Sequence, residues 1–188
     1  FEAMYENKDV AADVFKSALR IAKDTKFETD QVVDRFKALA SGGYTAKELT
    51  NVFLAISDVD SATGKGLRAQ NALVKMRLTG VASQATVRSL AESGAGSEIY
   101  TNIADSLGIS NSKSASDRKQ DVLAALTQKK VSDLVAGSAF IDAVNVKLNK
   151  GLGVGHYSKD MGIKTIEGQL STLKSSVMDI IAGINIDE

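Results

Sequence analysis

The chain has 188 residues, 23 basic against 23 acidic side chains, no cysteine, no proline, no tryptophan and one histidine. Without cysteine there is no disulfide, thiolate zinc site or cysteine nucleophile, and one histidine cannot build a multi-imidazole centre. Balanced charge argues against a surface made to neutralise phosphates, and no apolar run approaches the roughly twenty residues of a membrane span.

Hydrophobic residues recur at helical spacing almost throughout, and no alternating strand pattern interrupts them. The absence of proline agrees, since an interior proline costs a helix about 3 kcal/mol. Ala11, Phe15, Ala18 and Ala22 mark a first helix that ends near Lys23. Thr29 is placed to cap a second, with Val32, Val33, Phe36, Leu39 and Ala40 on its buried face and Ser41-Gly42-Gly43 as its stop. Thr45-Ala46-Lys47-Glu48 has the form of a capping box and opens a third helix through Leu49, Val52, Phe53, Ile56 and Val59. A break at residues 60–64 precedes a fourth helix from Leu67 to Leu78, and a short helix spans Ser83 to Ala91. Ser93-Gly94-Ala95-Gly96 reads as a hinge before a helix from Glu98 to Leu107, closed by Gly108.

The polar stretch from Asn111 to Ser116 reads as a linker. Beyond it, a helix covers Asp117 to Gln128, and Ser132 caps another that runs to about Leu148. Residues 149–164 then form a glycine-rich loop. In the last segment Ile166, Leu170, Leu173, Val177, Ile180 and Ile184 alternate spacings of four and three, the pattern of a coiled-coil seam. Two readings of that stripe stand: a helix docked on the core, or one that meets a partner or extends onward. The fold expected is an all-α, multi-helix bundle-like domain with a smaller C-terminal helical unit. Residues 1–108 would be the helical core domain, and 109–188 a helical extension with the loop and an amphipathic terminal helix.

Candidate sites were sought by chemistry. Gly151, Gly153 and Gly155, followed by His156, suggest a phosphate-cradling loop. A dinucleotide fingerprint would need a preceding strand, and a P-loop would end in Gly-Lys-Ser/Thr; neither holds here or at Thr63-Gly64-Lys65-Gly66. His156 has Ser158 and Asp160 close in sequence, but proximity on one loop does not make a triad. It is expected on the surface of a mobile joint. Glu48, Glu92, Glu98 and Asp105 are the candidates for the two acids of a glycosidase, and their helix-face and cap positions read as solvated or capping. Asp58 and Asp60 lack the further ligands of a calcium loop. No catalytic, cofactor-binding or metal-binding residues are assigned. The chain opens on Phe1 rather than methionine, and a fragment of a longer protein is expected.

Several stretches in succession resemble the N-terminal globular region of tail tape-measure proteins of long-tailed bacteriophages and prophages. They are Phe1-Glu2-Ala3-Met4 with Ala22 to Phe27; Gly42-Gly43-Tyr44-Thr45-Ala46-Lys47-Glu48 leading into Leu54 to Val59; Leu78-Thr79-Gly80 and Val87 to Gly94 joined to Ile103 to Gly108; and Thr165 to Lys174. Lys26 stands where the family commonly has proline. The resemblance implies a structural virion component acting in tail-length determination and tail assembly, and not an enzyme. Its expected partners are tail-assembly chaperones, tail-tube or tail-tip proteins and further copies of itself, with neither specific nucleic-acid binding nor a membrane span. Its expected location is the virion tail, and the host cytoplasm during assembly. The interaction residues assigned are Ile166, Leu170, Leu173, Val177, Ile180 and Ile184. A peptidoglycan-degrading helical domain and a generic helical adaptor are the alternative readings.

Overall fold

The computed structural model describes residue 5, residues 7–164, residue 170 and residues 173–178. Its regular structure is helical: α1 (Lys8–Asp24), α2 (Thr29–Ser41), α3 (Ala46–Thr63), α4 (Gly66–Thr79), α5 (Gln84–Leu90), a π-helical turn (Ala91–Ala95), α6 (Glu98–Ser106), α7 (Ala115–Thr127), α8 (Asp133–Lys147) and α9 (His156–Lys164). Among the described residues the only strand-like feature is an isolated antiparallel bridge between Val81 and Ser132. The all-α, multi-helix expectation is therefore met.

Local chemistry sets most helix starts. The Asn7 side chain accepts from the amides of Asp9 and Val10 at 2.9 and 3.2 Å, and Ser132 accepts from Val135 at 3.2 Å, satisfying first-turn donors that have no partner in the helix. At Thr45 the Glu48 carboxylate takes both the backbone amide (2.8 Å) and the hydroxyl (2.7 Å). Thr29 is a correction. It is the first helical residue of α2, and the cap position belongs to Glu28, which makes no capping bond through its side chain. The reason lies upstream: Thr25 is buried and donates its hydroxyl to Ile21 O at 2.9 Å, and Phe27 is buried as well. Those contacts fix the connector and turn the chain into the helix one residue early.

Two helices organise the core. On α3, Phe53 packs 5.0 Å from Phe36 with the rings tilted by 51° and meets Phe27 edge-on at 6.4 Å, all three residues being buried. The α8 helix buries Ala136, Ala139, Phe140, Ala143 and Val144, and packs against α3, α4, α6 and the π turn. Its small alanines allow neighbours to approach on several sides. Buried residues from Val14 to Val144 form one cluster that spans Gly108, where a division is expected from the sequence.

The expected hinge at residues 93–96 falls on a kink: Gly94, near the end of the π turn, leaves helical geometry (φ 159°, ψ −18°), and Gly96 follows that turn. The wide turn turns out carbonyls that an α-helix would use, and α3 and its following loop take them. The Thr63 hydroxyl donates to Ser93 O (2.7 Å) and Lys65 Nζ to Glu92 O (3.0 Å). Gly94 permits this approach, because a Cβ there would lie 3.2 Å from Val59 Cγ2.

Candidate functional site

The glycine-rich loop is where structure and expectation differ most. Instead of a free joint between helices, the loop is fastened to the middle of α3 by Asp58, whose side chain is fully buried. Asp58 Oδ2 accepts from Asn149 Nδ2 at 2.7 Å and from the Gly155 amide at 2.6 Å; Oδ1 accepts from the Ser158 amide at 2.8 Å. Gly155 and Ser158 lie at the start of α9, where unpaired amides and the helix dipole favour a carboxylate. Asp58 therefore caps α9 from another helix. Asn149 completes the clamp by accepting from the Tyr157 amide at 2.7 Å, and Asn145 accepts from the Gly153 amide at 2.7 Å.

Gly155 is required at this point on two counts. Its φ is +92°, and a Cβ would stand 2.7 Å from Leu54 Cδ2 on α3. Residues 156–164, read as loop, form α9, which packs on α3 and α1. The reason is non-local: a helix start without a capping residue of its own borrows one from Asp58.

The polar residues around His156 do not form a relay. Ser158 is buried and directs its hydroxyl to Gly155 O at 3.2 Å, and His156 is exposed with Nδ1 3.7 Å from Asp160 Oδ2. Of the four candidate carboxylates, Glu98 accepts from the Ser97 hydroxyl at 3.4 Å and the other three sit in ion pairs, Glu48 with Arg77. Glu92 meets Arg68 and Arg88, and Asp105 meets Arg118. Hydrogen bonds from Arg88 and then Arg68 hold the Glu92 carboxyl below its usual range. A glycosidase acid needs the opposite shift. Asp58 and Asp60, together in sequence, serve different contacts. Asp60 pairs with Arg35 at 2.9 Å and accepts from the Gly66 amide at 2.9 Å at the start of α4.

A second polar centre ties three helices together. Arg77 on α4 donates Nη2 to Glu48 on α3 (2.6 Å), Nη1 to Asp133 on α8 (2.9 Å) and Nε to Gly43 O (3.1 Å). Its guanidinium lies 5.0 Å from the centroid of the buried Tyr44 ring. Burial, more than any neighbouring charge, pushes the Tyr44 hydroxyl far up. Burial acts upward on Glu48 as well, but hydrogen bonds from Thr45 and Arg77 outweigh it and leave that carboxyl low. Arg77 thus bolts α3, α4 and α8 together.

Of the assigned interaction residues, Ile166, Ile180 and Ile184 lie outside the described residues. Leu170, Leu173 and Val177 are exposed at 60%, 63% and 48%, as is Met178. Lys174 between them reaches Glu28 at the start of α2 (3.3 Å). Among the described residues no group of three or more histidine, aspartate or glutamate side chains could hold a metal, and no helix is long and apolar enough to cross a membrane. Comparison with protein-family models, curated proteins and solved structures found no match to this chain.

Proposed function

We propose that this chain is a structural and interaction module of a bacteriophage or prophage tail, part of a tape-measure protein that helps set tail length and build the tail through protein–protein contacts. The observation that carries the reading is the exposed apolar series Leu170, Leu173 and Val177, which presents hydrocarbon to solvent beyond the last core-packed helix. Monomers rarely leave such residues in series without an occupant. The ordered resemblance of four sequence stretches to tape-measure N-terminal regions supplies the biological setting. The polar centres agree with a structural role: the side chains of Asp58 and Arg77 are spent on joining helices.

On this reading the stripe docks on tail-assembly chaperones, tail-tube or tail-tip proteins, or on further copies of the chain. Ending the chain after Lys164 should leave circular dichroism and the unfolding transition of the core nearly unchanged while association falls. Sedimentation velocity and co-purification with the tail proteins of the same genome would measure this. Unaltered oligomeric state and unaltered partner capture would reject the reading.

A further inference from the structure

A second contact surface lies away from the C-terminal stripe and does not rest on the phage reading. Between α5, the π turn, α6 and α7 opens a cleft of about 550 Å³. Its floor is apolar, made by Ala91, Leu123 and the ring of Tyr100. Two cations stand on its rim. Lys119 Nζ lies 5.0 Å from the Tyr100 ring centroid, and Arg88 has a side chain that is 76% exposed.

The charge around this cleft is unequal although the whole chain is neutral. Among the described residues Glu92 is the one carboxylate lining it, and that group is shared between Arg88 (Nε at 2.7 Å) and Arg68. One carboxylate cannot neutralise two guanidiniums, and among the described residues Lys119 Nζ meets only the Tyr100 ring. Arg88 spends Nε on Glu92, so the outer fork of its five donors is directed to solvent. The outcome is a fixed positive rim above hydrocarbon.

We propose that this cleft binds an acidic segment of a partner protein, with an apolar side chain on Ala91 and Leu123 and a neighbouring carboxylate between Arg88 and Lys119. Charge complementarity selects this occupant: an incoming carboxylate finds an arginine fork suited to bidentate contact. Nucleic acid fits less well. Tyr100 is only 8% exposed, under the lysine, and offers no open face for a base to stack on.

The test is an NMR titration of the intact, isotope-labelled chain with an acetylated, amidated peptide of alternating glutamate and leucine. A lysine–leucine peptide and a thymidine oligonucleotide of matched charge run beside it. Shifts confined to the amides of residues 84–100 and 119–123, weakening as salt rises, are expected. The doubly substituted Arg88→Gln, Lys119→Gln chain should bind about tenfold more weakly or worse. Both positions are exposed, so an unchanged unfolding transition is expected and checks that the double variant remains folded. Absence of shifts at about 1 mM peptide, equal affinity in the double variant, equal binding of the lysine–leucine peptide, or tighter binding of the oligonucleotide at the same residues would overturn the proposal.

Discussion

Asp58→Ala is expected to lower the stability of the fold by about 3–5 kcal/mol, a large share of what a domain of this size commands. The substitution removes one acceptor but strands three donors: the buried Asn149 side chain and the amides of Gly155 and Ser158. Urea unfolding would show the loss as a lower midpoint. Hydrogen exchange would locate it, with amides of residues 153–164 exchanging faster than those of α3 and α8. Asp58→Asn keeps the shape yet turns one end of the side chain into a donor facing donors, so it should not restore stability. A midpoint equal to that of the parent would show that the clamp contributes nothing.

Arg77→Ala is the second large effect, about 2–3 kcal/mol. Its side chain is 16% exposed and its loss leaves Glu48 and Asp133 facing one another across α3, α4 and α8 without their common cation. This effect depends on pH. Burial raises the Glu48 carboxyl, but the bonds from Thr45 and Arg77 together bring it below its ordinary value of 4.5. A carboxyl lowered by folding adds stability that is complete above the unfolded value and disappears as pH falls through the folded one. The gap between parent and variant should therefore be widest above 4.5 and narrow below it. Thermal unfolding from neutral pH down to acid would measure it, and a gap that stays constant would contradict the assigned pairing.

These two centres also mark where reading the sequence runs out. The start of α3 is legible because Thr45 and Glu48 are three residues apart and their chemistry is local. Ser132 is legible for the same reason. The Asp58 clamp instead joins residues 91 to 100 positions apart, and no periodicity signals such a pair. One hint was present: Asp58 lies between Ile56 and Val59 on a helix whose neighbouring residues are all buried, and a carboxylate there must find donors. The glycines of residues 151–155 announced unusual backbone, and all three have positive φ. They did not announce that the loop would turn its amides onto another helix. Arg77 is hidden likewise, because its carboxylates come from 29 residues before it and 56 after. The cleft beside Tyr100 escapes a linear reading too, since Arg88 and Lys119 meet only once α5 and α7 pack together.

The functional account depends on whether the C-terminal apolar residues meet a partner. The most direct measurement compares the intact chain with a chain carrying Leu170→Asp, Leu173→Asp and Val177→Asp. Both would be tested for self-association and, on the proposed tail reading, for binding to tail-assembly chaperone, tail-tube and tail-tip proteins. The account predicts that the intact chain self-associates or captures at least one of these proteins. The triple variant should keep its unfolding transition and lose that association by about tenfold or more, as an apolar contact replaced by buried charge should. No association by the intact chain, or equal association by both chains, would contradict it.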